Sequence, residues 1–293
     1  MKLQLGGRLE YTRYSPKLFA KRVHHDSKAE SKIGGDILSS KSFLGFSTGI
    51  GARFNLWTGG ALVLNQTNSY RAPALEELYN YGLHMGNQAF EVGNPNLKLE
   101  RSSGLDFSFR HRADRIRGEV NFFYYDIDDF IFPMSTGEFV DDFRKVRYMQ
   151  GDTRFVGVEF QFEVGLHNNY WLNLSMDMVD TKIKRTQRPV PRIPPLRARL
   201  AMDLRHGNLS LKPEIVLADS RKEIAMSETP TPGYAVINFK ASYTIPQRQF
   251  AHHLTVNVSN ISDRLYRNHL SFIKDLVPEM GRQISFSYVL KLF

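Results

Sequence analysis

About twelve stretches of this chain alternate apolar and polar residues with a period of two, and most run for roughly ten residues or more. Only an extended strand sends every second side chain to the same face. The clearest case interleaves Leu196, Ala198, Leu200, Met202 and Leu204 with Arg197, Arg199, Ala201, Asp203 and Arg205. The same arithmetic sets Val156, Val158, Phe160 and Phe162 against Gly157, Glu159, Gln161 and Glu163, and puts Leu105, Phe107 and Phe109 in phase. Strands of soluble sheets usually stop at about five or six residues. Twelve residues at ~3.3 Å each span about 40 Å, or about 30 Å of height when tilted near 40°, which is the thickness of a bilayer core.

The connections alternate in length. Short turns at 56–60, 111–114, 165–169, 206–208 and 246–249 separate long loops at 15–40, 70–96, 132–143, 183–192, 221–232 and 261–281. Short turns on one side and long loops on the other mark an outer-membrane barrel. The polar face agrees: Arg197, Arg199, Asp203, Arg205, Glu159 and Glu163 cannot line a dry core unpaired. The alternative is a large soluble antiparallel sheet with one wet face. The expected fold is therefore all-β, an antiparallel up-and-down transmembrane β-barrel portion of about twelve strands, one domain over residues 1–293. With no earlier strands, its sheet is expected to form an open arc or a strained small barrel, with an unpaired edge exposed on the first strand.

Bulk properties fit this fold without selecting it. Mean hydropathy is −0.36 and no run of 18 apolar residues occurs, so a transmembrane helix is excluded but spanning strands are not. A net charge of +9 suits anionic surfaces, including lipopolysaccharide phosphates. The absence of cysteine removes disulfides and thiolate metal sites. The opening residues MKLQLGGRLEYTRY alternate from residue 3 and lack the apolar core of a signal peptide, so an earlier part of the protein is expected to precede them.

One connection carries its own order. After Ser69, Pro73 breaks the strand, Leu75–Tyr79 can form one helical turn, and Gly93–Asn94–Pro95 forces a turn before the strand that begins near Leu97. The run Tyr70–Arg71–Ala72–Pro73–Ala74–Leu75–Glu76–Glu77–Leu78–Tyr79, followed by Gly93–Asn94–Pro95–Asn96–Leu97 and Glu100, resembles a motif of the TonB-dependent outer-membrane receptors. Gly157–Val158–Glu159, Arg192–Ile193–Pro194–Pro195–Leu196–Arg197 and the closing segment with Asn260, Asp263, Tyr266, His269, Pro278, Gly281 and Arg282 are similar to further signatures of that family. The resemblance implies the C-terminal part of a 22-stranded barrel around a plug. Plug, TonB-contacting segment and earlier strands have no counterpart in this sequence. It also implies localisation in the cell outer membrane and active uptake of a scarce nutrient, most often an iron–siderophore or other metal complex. Partners would be TonB through the N-terminal part, outer-membrane lipid and lipopolysaccharide. One departure is the terminal Phe293, out of phase with Ile284, Phe286, Tyr288, Leu290 and Leu292.

Candidate sites divide into loops and cations. His84, Met85 and Glu91 in the long loop, with His269 in the last one, are donors suited to a metal or metal chelate, and His24, His25 and Asp26 form a second group; His24, His25 and His84 are the candidate metal ligands. Solvated loop polarity is the alternative for each. Lys182, Lys184, Arg185, Arg188, Arg192, Arg197 and Arg199 form a basic hairpin, of which Arg185 and Arg188 are the candidate anion contacts. No aromatics interleave with them, which argues against nucleic acid. Gly45–Phe46–Ser47–Thr48–Gly49 matches the nucleophile pattern G-x-S-x-G but lies inside a strand with no helix after it. An enzyme is therefore not expected, nor a resident cofactor. The remaining alternatives are a self-contained passive pore and a zinc-type metal-ion receptor. The last implies that His84→Ala weakens metal uptake more than Lys184→Ala.

Overall fold

The computed structural model describes residues 1–16, 39–226 and 228–293, so the expectations placed on His24, His25 and Asp26 lie outside the described residues. Strands β1 (Lys2–Tyr14), β2 (Lys41–Trp57) and β3 (Gly60–Arg71) lead to helix α1 (Leu75–Tyr79) and a small hairpin, β4 (Tyr81–His84) and β5 (Ala89–Val92). Then follow β6 (Glu100–Arg112), β7 (Ile116–Val140), β8 (Phe143–His167) and β9 (Tyr170–Ile183). The chain ends with β10 (Arg197–His206), β11 (Leu209–Ala218), β12 (Tyr234–Pro246), β13 (Phe250–Ser259) and β14 (Gln283–Leu292). Setting the small hairpin aside, twelve strands pair in chain order, β1-β2-β3-β6 through β14, each antiparallel to the next. Among the described residues β1 pairs only with β2 and β14 only with β13, so the sheet is open.

Register turns the alternation into two faces. One row runs Phe162–Leu174–Leu200–Ile215–Ile237 across five strands. Another runs Leu62–Phe109–Val120–Phe160–Met176–Ala198–Leu217 across seven. This apolar face is the outer one: Phe122 is 51% and Phe286 79% exposed, whereas a soluble sheet would bury them. The opposite face holds charge against charge. Arg110 Nε lies 2.8 Å from Glu119 and Arg197 Nη2 2.8 Å from Asp177. Arg199 sits 3.4 Å from Glu214 and Lys212 3.7 Å from Asp203. Such half-exposed pairs add little stability. They let cations and carboxylates share a narrow inner wall without repulsion.

The short turns stay tight for local reasons. Gly59 has φ +84°, and a Cβ there would meet the Arg112 carbonyl oxygen at 2.1 Å, so glycine is required. On the other side, residues 132–143 are not the loop that the sequence suggests. They continue β7 and β8 to a two-residue connection at Asp141 and Asp142, whose φ values of +47° and +66° are those of a tight hairpin turn that matches the right-handed twist of its strands. Asp tolerates that region better than most residues, and two acids without glycine gave no turn signal.

β4 and β5 were likewise invisible in the sequence, because four-residue strands carry too little alternation to register. β5 lies parallel against the extension of β8, with Glu91 opposite Val146. Glu91 is only 5% exposed and anchors the hairpin by accepting from Asn87 Nδ2 (2.6 Å), Asn80 Nδ2 (3.0 Å) and the Tyr148 hydroxyl (3.3 Å). Burial and the Glu91 carboxylate push the Tyr148 phenol up to about 12. Below the hairpin, Leu78, Leu97 and Ile131 form a small core with Tyr14, Phe43 and Tyr79. Arg71 clamps it from the side, reaching Glu77 and Glu100 at 2.9 Å each. Glu77 also accepts from the Ala74 amide at 2.7 Å, and Glu100 from the Ile131 amide at 3.0 Å.

Two outcomes follow. Leu200→Arg, in the middle of the outer apolar band, should cost about 2–4 kcal/mol in urea unfolding from phospholipid vesicles, while Ser175→Lys on the inner face should cost far less. Equal losses would mean that the faces are reversed. Glu91→Ala leaves three half-buried donors without an acceptor. At about 1–3 kcal/mol per unmatched group, hydrogen exchange in β4 and β5 should quicken about tenfold or more while β6–β9 keep their protection.

Candidate functional site

The long connections fold over one end of the inner face. Gly157, Phe155 and Thr153 of β8 pair with Val179, Thr181 and Ile183 of β9, continuing inward the register of Glu159 and Asp177. Phe132, Ile183, Val190 and Ile193 make a core there, flanked by Phe130, Met134, Phe155 and Val179. The Val190 amide donates to Thr181 Oγ1 at 3.1 Å, which pins the connection between β9 and β10 to the strand it leaves.

Beside this core lies a cleft of about 360 Å³. Phe132, Met134, Met149 and Met226 wall it with apolar, polarisable surface, and Arg185 and Arg188 sit at its edge. Asp129 and Asp152 also line it, but Asp152 accepts the Asp129 amide at 3.1 Å. Among the described residues neither Arg185 nor Arg188 has a carboxylate within ion-pair reach. Four other members of the basic run are occupied, Lys182 being the exception among the described residues. Lys184 is held by Asp126 at 2.5 Å, which raises its pKa, with Asp128 at 3.9 Å. Arg197 and Arg199 pair on the inner wall, and Arg192 stacks on Phe272. The expected seven-cation surface is thus reduced to a few free heads.

The candidate metal donors are spread out. His84 and Met85 stand at the exposed turn of the β4–β5 hairpin, where His84 Nδ1 accepts the Asn87 amide at 3.2 Å. The Glu91 carboxylate is taken up by its own hydrogen bonds to Asn80, Asn87 and Tyr148. His269 is 2% exposed in the last long connection. Its Nδ1 lies 2.9 Å from Thr231 Oγ1 and 3.1 Å from Lys274 Nζ. An ammonium only donates, so Nδ1 accepts and the ring proton belongs on Nε2, 3.8 Å from Glu228 Oε2. Burial opposes the Glu228 charge, yet His269 and the amides of Arg192 and Ala225 hold its pKa below the ordinary carboxylate value. His269 therefore fastens the connection after β11 to the one after β13. Among the described residues no three His, Asp or Glu side chains gather as a metal-holding group. The G-x-S-x-G run lies wholly within β2, with Ser47 opposite Arg8 and accepting the Tyr70 amide at 3.2 Å, so it forms no nucleophile elbow.

Sequence reasoning passed over Met134, Met149 and Met226, because a lone methionine in an alternating strand reads as filler. Lys274 and Arg144 were missed for a similar reason: their convergence comes from loop paths that no local pattern encodes.

Comparison with known proteins places this geometry. Over 322 aligned positions the chain is 24% identical to TonB-dependent heme receptor A of Haemophilus ducreyi, covering 97% of this chain and 42% of that protein. The chain thus spans about two fifths of the length of that curated relative. Its fold is similar to copper transporter OprC (TM-score 0.76, 20% identity, 87% of this chain and 42% of that one). It is also similar to the siderophore receptor PirA from Acinetobacter baumannii (TM-score 0.65, 14% identity, 99% and 52%). Residues 1–261 match the family described as TonB dependent receptor-like, beta-barrel, and with that match, on an open sheet whose apolar face points outward, the chain belongs to the TonB-dependent receptors.

Proposed function

We propose that this chain is the C-terminal barrel portion of an outer-membrane importer that takes up an anionic metal chelate, such as an iron–siderophore complex, with energy delivered by TonB. The observation that carries the cargo class is the cleft beside β7 and β8: Arg185 and Arg188 stand free over a wall of Phe132, Met134, Met149 and Met226. Guanidinium groups suit the carboxylate or phenolate oxygens of a chelate, and the apolar wall suits its organic body. A bare divalent cation would need several converging His or carboxylate donors, and among the described residues none converge. TonB acts through the N-terminal part of such a receptor, and lipid and lipopolysaccharide surround the outer band. His84 and Met85, at the tip of the β4–β5 hairpin, make first contact with arriving cargo. His24 and His25, with His84, would serve a bare metal ion instead.

The reading is tested by energised uptake of radiolabelled iron chelates and of zinc in cells that depend on the full-length receptor. Arg185→Ala with Arg188→Ala should lower chelate uptake by about tenfold, or about 1.4 kcal/mol of lost binding. Lys184→Ala, whose charge Asp126 already holds, should leave it near the parent level. Loss of zinc uptake on His84→Ala, with chelate uptake untouched by the arginine pair, would reverse the cargo class in favour of the metal ion.

A further inference from the structure

Lys274 is 5% exposed, yet no carboxylate lies within ion-pair reach of its ammonium among the described residues. Its partners are the Thr229 carbonyl oxygen at 2.7 Å and His269 Nδ1 at 3.1 Å, both neutral. Buried charges are ordinarily paired, because an unpaired one forfeits its hydration. Lys274, Arg192 and Arg144 line one cavity of about 60 Å³ together with Glu228 and Asp275, between the extension of β8 and the connections after β9, β11 and β13, so cations outnumber carboxylates around it.

The carboxylates nearby are committed elsewhere. Glu228 accepts the amides of Arg192 (2.8 Å) and Ala225 (3.1 Å) and faces His269. Asp275 Oδ1 takes the Thr229 hydroxyl at 2.5 Å. Arg192 spreads its guanidinium over Phe272, and Arg144 makes no ion pair among the described residues. Burial lowers the pKa of Lys274 more than attraction to Glu228 and Asp275 raises it, and Arg192 and Arg144 lower it further. Burial outweighs attraction to Glu228 and, with repulsion from Arg144, brings Arg192 down to about 10. Three cations against two carboxylates that already accept hydrogen bonds, around a space with room for several waters, leave an excess of positive charge for an anion from outside the protein.

We propose that this cavity binds a compact oxyanion group, a carboxylate or a phosphate, between Lys274, Arg192 and Arg144. The cavity is too small for a whole chelate. Met134 and Met226 line both it and the larger cleft, so the two spaces share a wall. On the import reading above, on which this assignment of cargo rests, an acidic arm of the chelate enters the small cavity while its body lies in the cleft. A free phosphate would satisfy the same three heads.

The test is equilibrium dialysis of the full-length receptor, purified in detergent from outer membranes, against radiolabelled citrate and inorganic phosphate. Saturable binding of either anion is expected, and Lys274→Met should weaken it about tenfold, or about 1.4 kcal/mol. Lys274→Arg should retain most of it. Arg144→Gln, a half-buried site that spares folding, should weaken it severalfold. Citrate binding that phosphate does not displace identifies a carboxylate site; binding of phosphate in preference identifies a free-ion site. No saturable binding of either anion at millimolar concentration, or binding indifferent to both Lys274→Met and Arg144→Gln, overturns the assignment. If Lys274→Met abolishes citrate binding while uptake of every iron chelate stays at the parent level, the anion site stands and its link to cargo fails.

Discussion

A strand with hydrocarbon on one face and water on the other can satisfy its amides only through neighbouring strands. Everything else in this structure is arranged around that obligation. It fixes the antiparallel order, because connections on each side must return the chain to an adjacent ladder. It sets strand length against the bilayer. It also inverts the usual logic of a core, since the side chains that would drive collapse in a soluble sheet, such as Phe122, Leu200 and Phe286, face outward. What remains for the inner wall is charge, and Arg110–Glu119, Arg197–Asp177 and Arg199–Glu214 hold it in compensated pairs.

Once the sheet is set, the irregular segments above it need their own fastenings. Residues that carry the family resemblance in the sequence turn out to be these fastenings. Arg71, Glu77 and Glu100 tie α1 to β3 and β6. Gly93 passes so close to the backbone of Leu78 and Tyr79 that a Cβ would sit 2.6 Å from it. Asn260, at φ +50°, both donates to and accepts from the backbone of Arg264, and Asp263 caps the Arg282 amide at 2.7 Å. A short motif spread over loop and strand can therefore report how a mouth is held in shape while saying nothing of what enters it.

This divides what was legible from what was not. Strand count, pairing order and the direction of each face follow from period-two alternation, and Leu196–Arg205 alone establishes the rule. The long excursion of β7 and β8 escaped, because Phe130, Ile131, Phe132 and Pro133 break the alternation where both faces become covered. Glu91 and His269 were legible as unusual residues but not as buried ones; their roles depend on Asn80, Asn87, Thr231 and Lys274, which arrive from other elements. Charge was the least legible quantity. Seven cations in one stretch read as a basic surface, and only three-dimensional neighbours such as Asp126 and Asp177 show which of them are already neutralised.

The hairpin of β7 and β8 has a mechanical meaning. β9 joins β8 only at Thr153, so ten residues of β8, Phe143 to Asp152, project past that neighbour. At about 3.3 Å per residue that is a cantilever of about 33 Å. It is braced by β5 along one edge and footed in both small cores, through Ile131 on one side and Phe132 on the other. A beam fixed at two footings bends little, and its two-residue tip stores no slack. Any movement beside that beam must then come from the connections after β9, β11 and β13, and since His269 and Glu228 couple those three, they would swing as a single leaf against a rigid post.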